Sequence, residues 1–558
     1  MSDPNPSTPP PTLFRTDDAF PILTEAQIAR LAAHGLSRAV AAGEALVEPG
    51  EPPTRLFVLT RGQAEVVRDT GGREELLAIL RPGQFTGEVN MLSGRPGLLW
   101  LRASGPGEVV ELERERFLEL AQNDSELGDI FLRAFLLRRG ELIARGVGGV
   151  LVGSSHSPDT LRIKEFLTRN DQPYSYIDVE RDADVQQLLD RFHVGIEDIP
   201  ILICRADQVL RNPTNAQVAG CLRFNEAIDE THIRDVVVVG AGPSGLAAAV
   251  YGASEGLDVL VIEGSAPGGQ AGSSSKIENY LGFPTGISGR ELAARAYAQA
   301  QKFGAQVLIA KGATRLWCDR KPYAIEVDDG SRLRARSIVI ATGAEYRRLP
   351  LDNLSRFEGN GVFYAATFLE AQLCQGDEVI VVGGGNSAGQ AAVFLASTVV
   401  RVHLVVRSDG LDRSMSRYLI RRIEESPNIV LRTHTEIVAL EGGEHLENVR
   451  WRDGRTGAVE THPIRHVFLM MGAVPNTRWL GGCLTLDPAG FIRTGPDLAP
   501  EDLAAARWPL ARPPRLLETS RPAVFAVGDV RAGNVKRVAA AVGEGSNAIS
   551  LVHQVLSE

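Results

Sequence analysis

Two stretches of the chain repeat one pattern, and no other feature restricts its fold so tightly. The first, DVVVVGAGPSGLAAAVYGASEGLDVLVIEG, runs from valines through glycines into an apolar helix and a second valine-rich strand. The second, DEVIVVGGGNSAGQAAVFLASTVVRVHLVVRSDG, has the same order. A strand that enters a helix through glycines and returns to a second strand is the unit of a doubly wound α/β sheet. In the first stretch Gly240, Gly242 and Gly245 stand in G-x-G-x-x-G spacing. Gly240 permits the tight turn, Gly242 lets a pyrophosphate approach the backbone, and Gly245 lets helix and strand pack closely. Pro243 and Ser244 open the helix, whose free N–H groups and dipole favour an anion. Glu263 ends the second strand, where an acid accepts from ribose hydroxyls. The second stretch carries Gly383, Gly385 and Ala388 in G-x-G-x-x-A spacing, with Asn386 and Ser387 at the helix start. Its second strand ends in Val406, Arg407 and Ser408, without an acid to oppose a 2′-phosphate. Arg407, helped by Arg413, is suited to meet that phosphate as a charge-assisted donor, although an arginine at a strand end is often only solvated. Two such turns in one chain predict two different dinucleotides.

Composition bounds the rest. The chain has 558 residues, which at roughly 150 residues per domain predicts three to four domains. Its 57 glycines, against a typical ~7%, point to repeated close approach of backbone. The net charge of -10 argues against a nucleic-acid partner, which needs a basic face. Five scattered cysteines, Cys204, Cys221, Cys318, Cys374 and Cys483, show neither a CxxC pair nor metal-ligand spacing, so neither a disulfide framework nor a metal site is expected. The opening MSDPNPSTPPP lacks the basic and apolar regions of a signal peptide. The longest apolar run, from Val236 to Ala253, is interrupted by glycines and a proline and reads as strand, turn and helix instead of a membrane span. The expectation is a cytoplasmic protein with no membrane partner.

From Asp235 to Glu558 the chain resembles the thioredoxin reductase family of flavoproteins. Besides the two turns, Gly268, Gly269 and Gln270, then Glu278 and Asn279 in KIENYLGF, match that family's flavin-contacting loop. Ala341, Thr342 and Gly343 match its crossover strand, Gly528 and Asp529 in VFAVGD the site where an aspartate meets the flavin ribitol, and Arg537, Val538 and Ala539 the helix start beside the isoalloxazine. The resemblance implies FAD in the first site, NADPH or NADH in the second, and a homodimer. It fails at one place. The family's redox-active Cys-x-x-Cys falls in GVFYAATFLEAQLC on Ala365 and Phe368, neither of which can do thiol chemistry. Cys374 is left as a lone thiol, for which a small buried apolar role is the ordinary one. No separate catalytic side chain beyond the flavin is identified.

Two further units precede these. From Ala19 to Glu111 short alternating runs are separated by glycine turns, among them Gly43, Gly62, Gly71, Gly72 and Gly83, and predict an antiparallel β-roll, followed by one helical stretch from Glu113 to Arg145. It resembles the cyclic nucleotide-binding domain of the catabolite activator family. That resemblance assigns Gly87 and Glu88 to a ribose hydroxyl and Arg95 to the cyclic phosphate, yet Pro96 lacks an N–H and Leu98 and Leu99 replace polar ligands, so weak or absent binding is expected. Residues 149 to 224 alternate strand and helix, with helices near Thr160 to Arg169 and Ala183 to Phe192. This unit resembles a glutaredoxin or thioredoxin fold, with Pro200 as its cis-proline and with Ser157, Pro158, Asp159 and Thr160 where Cys-Pro-x-Cys would stand.

The expected architecture is multidomain: an N-terminal β-roll plus helices, a small α/β thioredoxin-like unit, and C-terminal tandem Rossmann-like FAD and NAD(P)H α/β domains. The boundaries are a flexible tail at 1–18, the β-roll with its helix at 19–145, the thioredoxin-like unit at 146–228, FAD-binding parts at 232–354 and 471–558, and the NAD(P)H-binding part at 355–470, with a surface loop at 497–522. The leading functional expectation is an FAD-dependent NAD(P)H oxidoreductase delivering electrons to an unidentified, non-disulfide acceptor. The alternatives are a regulatory flavoprotein that senses redox state or nucleotides and a thioredoxin-disulfide reductase working through a non-standard thiol.

Overall fold

The computed structural model describes residues 17–69, 74–181, 198–204, 208–274, 276–277, 279–364, 366 and 368–558. The expected tail up to residue 16, Gly71, Gly72, the helix near Ala183 to Phe192, Glu278 and Ala365 lie outside these. The chain divides into two compact units, one of residues 1–154, 163–227 and 298–309, the other of residues 155–162, 228–297 and 310–558.

In the first unit, the strand Arg55–Arg61 shows how the β-roll forms. Its residues alternate in direction, as a strand requires. Leu56 and Val58 enter a core shared with Phe85, Phe117, Phe131 and Phe135, while Phe57 and Leu59 enter another with Val40, Leu80, Leu101 and Val109. Both faces are buried, so the run reads RLFVLTR with four consecutive apolar residues. An antiparallel sheet orders Leu36–Val40, Gly107–Glu113 and Arg55–Arg61, and a second orders Ala45–Val47, Trp100–Ala103, Ala64–Asp69 and Glu74–Leu80. The single helix expected from Glu113 to Arg145 is two, Arg114–Asn123 and Ser125–Ala144. Asp124 separates them because its extended backbone ends the first, and its side chain accepts from Leu127 N at 3.1 Å to cap the second.

The same unit carries a four-stranded sheet in the order Val209–Arg211, Ile201–Ile203, Gly149–Gly153, Tyr174–Asp178. The last two are parallel and the others antiparallel, and the Ile199–Pro200 peptide is cis. The expectation of unpaired cysteines is corrected here. Cys204, following Ile201–Ile203, is disulfide-bonded to Cys221 at the end of the helix Asn215–Cys221. A second disulfide, Cys318–Cys483, lies in the other unit, and only Cys374 is free. Linear spacing missed both because the fold, not the local sequence, brings each pair together.

The second unit holds a mixed sheet with a parallel centre and a second, parallel sheet. In one, Ile233–Val239 lies between Val259–Glu263 and Arg332–Ile340, and Val524–Ala526 adds to the far side of Arg332–Ile340. In the other, the order is Val362–Phe363, His466–Leu469, Glu378–Val382, Arg401–Val405, Ile429–Arg432. Strands covered on both faces read as continuous valine and isoleucine runs, and Val236, Val237 and Val238, like Val379, Ile380 and Val381, are fully buried. The chain crosses between the two sheets through an antiparallel pair, Ala344–Tyr346 with Ala473–Pro475. The surface loop expected at 497–522 contains the short helix Pro500–Ala505 and is anchored by Glu518. That buried carboxylate accepts from Arg512 Nη1 at 2.6 Å and from the N–H groups of Arg515 and Ala523 at 2.9 Å. Among the described residues no helix is long and apolar enough to cross a membrane.

Candidate functional site

The first glycine turn follows Ile233–Val239, and each glycine answers a different steric demand. Gly240 has φ +102, and a Cβ there would stand 2.4 Å from the carbonyl oxygen of Ala341. A Cβ at Gly245 would lie 1.9 Å from the carbonyl oxygen of Gly240. Gly242 is different: its Cβ would meet only the Cα of Gly269, at 3.9 Å, so this side of the turn is open. Gly242 is the N-cap of the helix Pro243–Ser254, and no side chain caps that end. Its first N–H groups therefore face the open side without a protein acceptor from a capping side chain, which is the geometry that receives a phosphate. Glu263 stands beside it. Its carboxylate accepts from Ala241 N at 2.8 Å and Ser265 N at 2.9 Å, which fixes the turn while each oxygen keeps a further lone pair.

Three segments gather around this turn. The loop at Gly268 and Gly269 lies over it, with Gly268 N donating to Ala241 O at 2.7 Å. Gln270 Nε2 donates to Ala344 O, and Asn279 is exposed. The crossover residue Thr342 donates through Oγ1 to Asn476 O at 2.9 Å, and Asn476 N returns to Gly343 O at 3.1 Å. The segment after Val524–Ala526 brings Gly528 so close to Ser244 that a Cβ there would meet Ser244 Oγ at 2.5 Å. Asp529 follows, half-buried; burial raises its carboxyl above the usual range, opposed by Lys536. Arg537 is the N-cap of the helix Val538–Leu556, again without a side-chain cap, so the amides around Val538 and Ala539 open a second helix end.

One residue that sequence reasoning missed organises this corner. Glu544 accepts from Gly528 N at 2.7 Å, from Arg531 Nη2 at 2.5 Å and from Asn534 Nδ2 at 2.8 Å. The signal was present: a solitary acid among small residues in AAAVGEGSNA, beside Gly545, whose Cβ would stand 2.1 Å from Ser244 O.

The second turn repeats the first with one relaxation. Gly383 has φ +143, and a Cβ there would lie 2.1 Å from Met470 O. Gly385 is the uncapped N-cap of the helix Asn386–Leu395, and its Cβ position meets only Ser414 O at 4.0 Å. Ala388 is buried, Ser387 is exposed, and Asn386 Oδ1 accepts from Ser416 N at 2.8 Å. Arg407 and Arg413 are exposed, and neither forms an ion pair among the described residues. Ser414, another residue not anticipated, donates to Gly384 O at 2.8 Å and holds the Arg413 loop against the turn.

The positions expected to lack redox thiols carry other chemistry. Phe368 begins the helix Phe368–Leu373 and is 68% exposed. Cys374 is fully buried in the core of the second sheet with Val379, Ala388 and Leu404. Its thiol donates towards Glu370 O at 3.1 Å, and burial pushes its pKa up to about 12. Ser157 Oγ accepts from Thr160 N at 3.4 Å at the start of the helix Pro158–Arg169, so a helix cap stands where a thiol would. Among the described residues no cluster of His, Cys, Asp or Glu is arranged for a metal ion.

In the β-roll, Gly87 has φ +91 and Glu88 pairs with Arg139 at 3.2 Å. The side chain of Arg95 is buried. Its guanidinium lies 4.1 Å from the ring centre of Phe224 and its Nη1 3.4 Å from Asn170 O. Pro96 and Gly97 follow it in the sequence.

Residues 234–545 match the family described as pyridine nucleotide-disulphide oxidoreductase, and residues 37–124 match the cyclic nucleotide-binding domain. A thioredoxin reductase from Bacillus subtilis is 30% identical over 59% of this chain and 97% of its own length. One from Ureaplasma parvum is 32% identical over 56% of this chain and 94% of its own. The crystal structure of Lactococcus lactis thioredoxin reductase superposes with a TM-score of 0.52 at 27% identity, covering 58% of this chain and 99% of that one.

Proposed function

Since the chain belongs to the pyridine nucleotide-disulphide oxidoreductase family, we propose that it is an FAD-dependent NAD(P)H oxidoreductase of thioredoxin reductase type whose electrons leave to an acceptor other than a protein disulfide. When bound, the two cofactors supply hydride transfer from the nicotinamide to the flavin and onward release of electrons. The chain's own part is to hold them. Gly240, Gly242, Pro243, Ser244 and Gly245 offer the first helix end to a pyrophosphate, and Glu263 faces the adjoining ribose. Gly269, Gln270, Asn279, Thr342, Gly343, Gly528, Asp529, Arg537, Val538 and Ala539 complete the flavin site, with Glu544 positioning the Gly528 turn. Gly383, Gly385, Asn386, Ser387 and Ala388 receive the nicotinamide dinucleotide. Arg407 and Arg413, free of internal carboxylates, favour the form with a 2′-phosphate.

The observation that carries the reading of the acceptor is the state of Cys374. A thiolate is the reacting species in disulfide exchange, and this thiol is buried, donates into its own helix and is held far from ionisation. The domain limits expected from the sequence, a thioredoxin-like reading of the four-stranded sheet and a homodimer belong to the same proposal; the strand order and the parallel pair support the second of these. A different reading, disulfide exchange through the small α/β unit, draws support from the Cys204–Cys221 disulfide. One assay separates them. The FAD-loaded protein with NADPH is expected to reduce ferricyanide or quinones and to reduce thioredoxin negligibly, with Cys374→Ser unchanged. Rapid thioredoxin reduction lost in Cys374→Ser or in Cys204→Ser would replace the proposal with a thiol route.

A further inference from the structure

The β-roll carries a partly open, apolar pocket, the kind of concave surface that receives a small molecule. Its position is that of a ligand site in a cyclic nucleotide-binding domain, but its chemistry is not. The wall is built from Val47, Val66, Leu98, Leu99, Trp100 and Leu142, and the polar side chains that reach it are already engaged. Glu88 pairs with Arg139. Thr86 Oγ1 accepts from Phe57 N at 2.9 Å. Arg55 pairs with Glu111 at 2.8 Å and Glu113 at 3.0 Å. Asn90 Nδ2 donates to Pro96 O at 2.6 Å.

Among the described residues Arg138 is the buried cation of the wall, and it is spent as well. Its Nε and Nη1 donate to Ala19 O and Gly87 O, each at 2.7 Å, and its guanidinium lies 4.4 Å from the ring centre of Phe20 and 4.7 Å from that of Phe85. Among the described residues its Nη2 and the Oδ1 of Asn90 have no hydrogen-bond partner, but both atoms are covered and offer no surface to an anion. Arg95, the residue that would have served a phosphate, stacks on Phe224 instead. A cyclic phosphodiester placed here would lose its hydration without gaining a counter-charge, and burial of an uncompensated charge is strongly unfavourable. A hydrocarbon surface placed here would be withdrawn from water against leucine, valine and tryptophan, which is favourable in proportion to area.

We propose that this cavity binds an uncharged, predominantly apolar small molecule and has lost the cyclic-nucleotide chemistry of its fold. The inference is independent of the redox reading and is tested on the FAD-loaded full-length protein. With the uncharged fluorophore 1-N-phenylnaphthylamine as probe, saturable binding at one site per chain is expected, unmoved by millimolar cyclic AMP or cyclic GMP. Two variants locate the site. Gly97 lies in the wall, and a Cβ there meets nothing closer than Val47 Cγ1 at 3.6 Å, so Gly97→Leu fills the cavity without backbone strain. Leu98→Lys places a charge on the partly exposed edge of the same wall. Each is expected to weaken the probe at least about tenfold while FAD content and circular dichroism are retained. Absence of saturable binding, displacement by a cyclic nucleotide, or affinity unchanged in both variants would overturn the proposal, and the first two are read on the unaltered protein.

Discussion

At the first glycine turn the third position of the motif is Gly245, and at the second it is Ala388. A Cβ at Gly245 would collide with Gly240 O at 1.9 Å, whereas the second turn accommodates the methyl of Ala388, which is fully buried there. The turn glycines differ in the same sense, Gly240 at φ +102 and Gly383 at φ +143. The two turns diverge again at the end of the following strand. Glu263 is tied to Ala241 and Ser265, while Arg407 is exposed and forms no ion pair among the described residues. Glycine spacing therefore sets how closely helix and strand meet, and the two strand ends differ in charge. The first turn is tight and internally braced; the second is looser and keeps a free cation.

The largest effect should come from closing the tight turn. Gly245→Ala forces the helix from the strand, and the purified protein is expected to carry essentially no FAD by absorbance after denaturation, because overpacking against backbone has no cheap relaxation. The mirror change, Ala388→Gly, should leave FAD content intact. If both variants retain FAD equally, the difference between the turns is not steric. Next is Glu544→Ala, which strips Gly528 N, Arg531 and Asn534 of their common acceptor. Leaving such groups unpaired costs about 1–3 kcal/mol, so flavin affinity measured by equilibrium dialysis should fall roughly tenfold or more while NADPH affinity is unchanged. For Arg407→Ala a loss of about tenfold in kcat/KM is expected with NADPH and little with NADH, matching one charge-assisted bond. Equal losses with both nucleotides would return this arginine to the solvated surface.

The smallest effect is a pH dependence confined to the second sheet. His403 is buried and His466 mostly so, and burial lowers the pKa of each below the ordinary value of 6.5. His403 Nδ1 accepts from Arg432 Nε at 3.1 Å and its Nε2 faces Glu378 at 3.0 Å, an arrangement that suits the neutral ring. The unfolded chain takes up these protons first. Stability from this source is thus complete above about pH 6.5 and is lost as the pH falls below it. Thermal melts of His403→Gln should flatten the decline between neutral and mildly acidic pH; an unaltered slope would remove His403 as its source.

Most of the dinucleotide geometry was legible in the sequence because it is local. A strand, three small residues and a helix start are contiguous, so Gly240 to Gly245 and Gly383 to Ala388 could be read directly. Ser414 and Asn476 could not, since each acts on a turn distant along the chain, and the lone acid at Glu544 signals a role without naming the Gly528 turn it braces. The cysteines failed for the same reason: Cys318 and Cys483 meet only once the unit is assembled. The packing of Arg95 on Phe224 was likewise not legible, because sequence proximity to Glu88 does not show which way a side chain turns. The break between Asn123 and Ser125 was visible in principle, since aspartate followed by serine and glutamate favours a new helix start, but the apolar periodicity on both sides masked it.

The central claim is that the flavin has no thiol partner within the chain. Anaerobic reductive titration of the FAD-loaded protein with dithionite, followed by flavin absorbance, counts the electrons taken up per flavin. An account in which Cys374 is a core residue and both disulfides are structural predicts about two electrons per flavin, the capacity of the cofactor alone. Uptake of about four, falling to two in Cys204→Ser or Cys318→Ser, would reveal a disulfide in exchange with the flavin and contradict it.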